Sequence, residues 1–184
     1  MKVDPKGGAV TPWYVPETIN NTAVSGYGGL ATVAENDILL SNDNAKGEIL
    51  RFDLSKEKGE PVVVKREPHV SFGGTDAILL PPKYGGSVLL VSENAVGITV
   101  LRSKDKKWET AEHLGTVPND EDIVRTGGIV TAPLQIGDKI FMIEEFFADP
   151  FVPGGVAGNR TTFPLFDITD KVEKLLAAAT GSEE

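Results

Sequence analysis

The sequence predicts an all-β fold: a β-propeller stretch of about three four-stranded blades, closed off by a short C-terminal helix. Three observations predict it. Short β-rich runs are divided by Gly, Pro, Asn and Asp, and helical periodicity is nearly absent until roughly the last fifteen residues. A Gly-Gly anchor recurs at Gly28-Gly29, Gly73-Gly74 and Gly127-Gly128, with spacings of 45 (Gly28 to Gly73) and 54 residues (Gly73 to Gly127). A fixed order of apolar strands follows each anchor. Four strands in such a period is the signature of a propeller blade. A β-sandwich has short strands too, but no repeated anchor.

The elements follow in order. Met1 to Pro16 reads as an outermost strand with its turn. The first blade (26–66) opens at Gly26-Tyr27-Gly28-Gly29-Leu30-Ala31, continues with Asp37 to Ser41, turns at Gly47 into Glu48 to Leu54, and ends with Pro61 to Lys65. The second (71–117) repeats this with Ser71-Phe72-Gly73-Gly74-Thr75-Asp76, Ser87 to Ser92, Gly97 to Arg102, and Trp108 to Leu114. The third (125–168) has Arg125 to Val130, Lys139 to Ile143, a long loop, and Thr161 to Ile168, with no fourth strand. Asp170 to Ala179 reads as a helix capped by Thr169 or Asp170, within a helix-and-tail segment 169–184. One outer strand at the start and three inner strands at the end are complementary. The expectation is a half ring, with residues 1–168 as one domain, whose closure needs a second copy or a missing N-terminal half.

The composition narrows the partners. A formal charge of −9 with no clustered cationic face argues against nucleic acid. The one basic cluster, Arg102 to Lys107, falls in a hairpin turn. No apolar run approaches the ~20 residues of a membrane helix, and the N-terminus carries no signal-peptide hydrophobic segment. Cysteine is absent, which excludes disulfides and tilts the expectation towards a cytoplasmic over a secreted setting. Asn20-Asn21-Thr22 and Asn159-Arg160-Thr161 match the glycosylation acceptor pattern, which also arises by chance. Phosphate-cradling, metalloprotease and nucleophile-elbow motifs are missing, and Gly154-Gly155 has no following Lys-Ser/Thr.

In an up-and-down blade, the loop leading into strand one and the loop from strand two to three share a face. That geometry gathers His69, Tyr27, Phe72 and Arg125 with the polar ends of strand two: Asn42-Asp43-Asn44, Glu93-Asn94 and Glu144-Glu145. Converging oxygens suit a hard cation, or general acid/base work by Glu93, Glu144, Glu145 and His69 on a small molecule. The other reading is local turn chemistry, in which Asn and Asp side chains bond to nearby backbone. Asp76 lies in an apolar inner strand, where a carboxylate is paired, hydrated or ligating. The loop from Phe146 to Arg160 is too apolar for a free solvent loop. Its Phe146, Phe147 and Phe151 make a lid for an apolar metabolite or a contact with another subunit.

The blade pattern Gly28-Gly29-Leu30-Ala31, then Asp37-Ile38-Leu39-Leu40-Ser41-Asn42-Asp43, then Gly47 to Leu54 resembles the SMP-30/gluconolactonase-like propellers, related in fold to strictosidine synthase. More loosely, Ala132 to Phe147 and Gly158 to Leu165 resemble fungal secondary-metabolism members of that group. The resemblance spans about Met1 to Ile168 and implies the C-terminal half of a six-bladed ring. It also implies an axial divalent cation, Ca²⁺ or Zn²⁺, on Asn42, Asp43, Glu93 and Asn94. The Asn-Gly that opens a metal-binding strand one in that group is Gly-Gly here, which favours members that bind or reshape a metabolite without a metal. The expected function is therefore a propeller that binds and transforms a small apolar metabolite or ester in secondary metabolism. A non-catalytic binding propeller and a divalent-metal-dependent lactonase are the alternatives.

Overall fold

The computed structural model describes residues 1–16, 26–153 and 158–181. The acceptor pattern at Asn20 and the Gly154-Gly155 pair lie outside these. The strands, in chain order, are β1 (Lys2–Val3), β2 (Val10–Thr11), β3 (Tyr27–Val33), β4 (Ile38–Asp43), β5 (Glu48–Asp53), β6 (Val62–Val63), β7 (Lys65–Glu67), β8 (Thr75–Leu79), β9 (Val88–Glu93), β10 (Gly97–Arg102), β11 (Thr110–Pro118), β12 (Ile129–Ile136), β13 (Lys139–Glu145) and β14 (Leu165–Asp167). Two helices join them, α1 (Glu121–Arg125) and α2 (Thr169–Thr180).

These strands build three larger sheets, each wound in sequence order: β3-β4-β5-β6, then β8-β9-β10-β11 with β7 added outside β11, then β12-β13-β14. All neighbours are antiparallel except β7, which runs parallel to β11. The sheets stack face to face, and the first strand of each touches the next sheet, β3 against β8 and β8 against β12.

Side-chain alternation explains the stacking. In β9, Leu89 and Val91 enter the cluster shared with the first sheet, with Ile38, Leu40, Ile49 and Trp108. Val88 and Leu90 turn to the cluster shared with the third sheet, with Ile98, Val100, Val130, Ile140 and Met142. A strand buried on both faces reads as an unbroken apolar run, as Val88 to Val91 does. Each such side chain contributes about 1.5–3 kcal/mol when fully buried. On the outer face of the first sheet, Trp13 packs on Leu50 and Phe52.

Several elements differ from the sequence expectation. The expected fourth strand at Pro61 to Lys65 is divided: β6 stays with the first sheet, and β7 crosses to the edge of the second. Val64, between them, is buried and its amide bonds back to Ile49 O at 2.9 Å. Residues 1–16 form a β1–β2 hairpin followed by the Trp13-Tyr14 anchor, not one outer strand. Of Thr161 to Ile168, only Leu165–Asp167 pairs as a strand. The segment before Arg125 is helical because Asp120 accepts the amides of Asp122 (2.9 Å) and Ile123 (3.3 Å), an N-cap. The terminal helix forms as expected, but its N-cap is Ile168, and the Thr169 hydroxyl instead accepts Ile140 N at 2.9 Å. The basic turn is neutralised locally, with Arg102 and Lys104 both on Glu112 at 2.7 and 3.0 Å.

Candidate functional site

The ends of β4, β9 and β13 and the starts of β3, β8 and β12 lie at one end of the stack. The register shows it: Asp43 is opposite Tyr27, Glu93 opposite Thr75, and Glu145 opposite Ile129. Polar bonds tie the sheets together there. Asn42 Nδ2 reaches from β4 to Thr75 Oγ1 and Asp76 O, each at 2.9 Å, and to Asn44 Oδ1 at 2.6 Å. Val130 N donates to Asn94 O at 2.7 Å. Ser92 Oγ lies 2.9 Å from both Ala77 O and Thr131 O.

Of the strand-two acids, Glu93 and Glu144 turn between the sheets, and Asp43 and Glu145 turn to the other faces of their strands. Asp43 is buried, and its Oδ1 accepts the amides of Ala45 and Lys46 at 3.0 and 3.3 Å, which is turn chemistry. Glu93 is buried; one oxygen accepts Gly73 N at 3.2 Å, the other the Thr99 hydroxyl, itself 2.8 Å from Thr116 Oγ1. Glu144 is fully buried (0% exposed) between the second and third sheets. Its Oε2 accepts Asn119 Nδ2 at 3.3 Å, and its Oε1 has no partner. Burial pushes this carboxyl above its ordinary range, against the smaller opposing effect of the Asn119 bond. Glu145, on the other face of β13, is half-buried.

The surrounding residues are dispersed by comparison. Tyr27 is partly exposed, with its hydroxyl 3.0 Å from that of Tyr14; partial burial and then this bond raise the phenol above its ordinary range. Phe72 is buried with the Arg66 guanidinium 4.2 Å above its ring. His69 and Asp76 are exposed. Asp76, at a bulge in the edge strand β8, takes the hydrated option. Arg125 ends α1 and pairs with Asp122 at 2.8 Å in the open, so the structure does not aim it into the site. Phe146 is tucked under Arg160, 3.6 Å from ring centre to guanidinium, and Asp149 holds that arginine at 2.7 Å. Phe147 and Phe151 are each 74% exposed.

The four residues that the resemblance assigns to a cation do not fit one as they stand. Asn42 and Asp43 point to opposite faces of β4, and the bonds to Asp43 and Glu93 described above are already made. Among the described residues, no three His, Cys, Asp or Glu side chains converge on a point. Sequence reasoning missed Arg66, Asn119 and the inward-facing His113. Arg66 had a signal, since it lies two residues beyond Val64 in an extended run where these two alternate with the polar Lys65 and Glu67.

Fold and site together define an all-β repeat chain: three sequentially wound antiparallel sheets with buried carboxylates at one common end. Two curated fungal proteins are homologues. One is Trichothecene biosynthesis protein 14 of Trichoderma arundinaceum, 33% identical over 183 residues, covering 96% of this chain and 48% of that protein. The other is Core trichothecene cluster (CTC) protein 14 of Fusarium sporotrichioides, 28% identical over 173 residues, covering 91% of this chain and 44% of that protein. The chain thus spans about half the length of the curated relatives it matches. No protein-family model matches it, and no solved structure matches it.

Proposed function

We propose that this chain forms three blades of a six-bladed, SMP-30-like β-propeller that binds and transforms a small apolar metabolite in secondary metabolism. The observation that carries the metabolic role is the match, over 96% of the chain, to a protein named for trichothecene biosynthesis. Sequential winding, four-strand order and contact through the first strands support the blade reading. A second copy, or polypeptide beyond this chain, completes the ring.

The chemistry proposed is acid/base. Burial holds Glu144 towards its protonated form, with Oε1 free to donate. Glu93, whose oxygens both accept hydrogen bonds, is the acceptor. Phe147 and Phe151 cover the metabolite. A non-catalytic binding propeller is the second reading, favoured by the turn bonds that already engage Asp43.

The test is metabolite profiling of a producing strain carrying Glu144→Gln or Glu93→Gln in the full protein. Accumulation of a pathway intermediate, with turnover down by about 10²-fold or more, supports catalysis. An unchanged profile from both variants removes the catalytic assignment. If Phe151→Ala changes assembly and leaves metabolite retention intact, the loop is a subunit contact instead of a lid.

A further inference from the structure

Beneath the loop that leads into β8, the first and second sheets enclose a polar corner of which the proposed chemistry uses Glu93 alone. Arg66 stands on β7 opposite Ala111 of β11, and the residue is only 6% exposed. Its Nε and Nη1 are buried and have no hydrogen-bond partner. His113 lies two residues beyond Ala111 on the same face of β11, and its Nε2 is also buried without a partner. Glu93 bonds to Gly73, next to the Phe72 ring under Arg66, and acts electrostatically on both groups; Glu48 acts on Arg66 in the same way at longer range. Among the described residues, neither acid reaches Arg66 as an ion pair.

A buried guanidinium with two unsatisfied N–H groups is a severe desolvation cost unless something accepts from it. The surroundings define what that is. An anion would meet the Glu93 carboxylate. A cation would meet Arg66. An apolar group would leave the N–H groups unpaired. What fits is a small neutral molecule that accepts from a guanidinium and donates to a carboxylate and an imidazole nitrogen, namely water. Burial, the largest influence on His113, pulls it below its ordinary value despite Glu93, so the neutral ring presents an acceptor.

We propose that this corner is a built hydration site in which ordered waters, one on the Nε side of Arg66 and another at Nη1, accept from the guanidinium and link it to Glu93 and His113 Nε2. Arg66 is thereby a positioning residue for Glu93. With the Gly73 amide and the Thr99 hydroxyl already on Glu93, the waters fix the carboxylate from its third side. They also join β7, β9 and β11 into one rigid corner.

The test uses the full chain labelled with ¹⁵N-arginine and ¹⁵N-histidine. The Arg66 Nε–Hε signal, identified by its loss in Arg66→Met, should be protected from exchange and show a cross-peak to long-lived water. Direct coupling of that N–H to the Glu93 carboxylate, or a protected signal without a water cross-peak, overturns the proposal. In urea unfolding, Arg66→Met should lower the midpoint and Arg66→Lys should restore part of it. The effects of Arg66→Met and Glu93→Gln should be non-additive. A raised midpoint in Arg66→Met would mean an uncompensated charge with no bridging water, and overturns it too. If Arg66→Met does not fold, the signal is identified by assignment and the unsubstituted protein still decides. No metabolite enters these measurements, so their failure is separate from failure of the metabolic reading.

Discussion

Replacing the second glycine of the first anchor and the first glycine of the next should have opposite effects. A Cβ at Gly29 would sit inside 3.0 Å of the Ile78 amide nitrogen, at 3.0 Å from Ile78 Cγ1 and 3.1 Å from Ala77 C. Backbone cannot rotate away as a side-chain tip can, so Gly29→Ala must push β3 from β8. Overpacking of this kind costs about 1–3 kcal/mol, occasionally more. Loss of unfolded-state freedom offsets about 0.4–1 kcal/mol. The expected net is a destabilisation of about 1–2 kcal/mol. Gly73, at the first position of its own anchor, has nothing within 4 Å of such a Cβ and no left-handed φ. Gly73→Ala should therefore gain about 0.4–1 kcal/mol. Urea unfolding followed by tryptophan fluorescence reads both, because Trp108 is buried between the same two sheets. With a slope of about 2 kcal/mol per molar, the Gly29→Ala midpoint should fall by roughly 0.5–1 M. A Gly29→Ala midpoint at or above the parent, or an equal fall for Gly73→Ala, refutes the close approach of β3 and β8.

Two further outcomes follow from the same structure. Trp108 is fully buried and donates from Nε1 to Gly86 O at 2.9 Å, so Trp108→Ala should cost about 3–5 kcal/mol in denaturant unfolding, and Trp108→Phe clearly less. The folded-state value of Glu144 is raised above its ordinary one, so its stability contribution is complete below the ordinary carboxylate value and is lost as pH climbs through the raised one. The melting temperature of Glu144→Gln minus that of the parent should hence be near zero at about pH 4 and grow towards about pH 7. A difference that shrinks with rising pH would mean that the carboxyl is not desolvated.

The strand cores were legible because their cause is local. Val88 to Val91 is an unbroken apolar run, and a run that short between turn residues belongs to a strand buried on both faces. The Asp43 turn was legible for the same reason, since an Asx side chain finds its backbone partners two and three residues on. Glu93 and Glu144 were legible as residues of interest, but not their setting. Whether a strand-end acid faces the solvent-filled end of the stack or the seam between two sheets depends on which sheet lies beside it. Arg66 escaped because β7 leaves the sheet of its own repeat for the edge of the next. No local pattern announces that crossing.

The sequence by itself therefore determined the secondary-structure class, the strand order within each repeat and the anchoring glycines, because these depend on backbone preference and on period-2 alternation over a few residues. The tertiary structure alone decided what each anchor is for. Gly28 meets Asp76 O and Gly29 meets Ile78 across a sheet boundary, while Gly73, the counterpart of Gly28, meets nothing, although the two motifs look alike in the chain. It also decided that Glu144 carries an oxygen without a hydrogen-bond partner between two sheets, and that Arg66, beside Ala111 of β11 and over Phe72, comes close to Glu93 and His113. Contacts between sheets join residues far apart in sequence. Their chemistry is set by distance and burial, which a residue pattern does not encode.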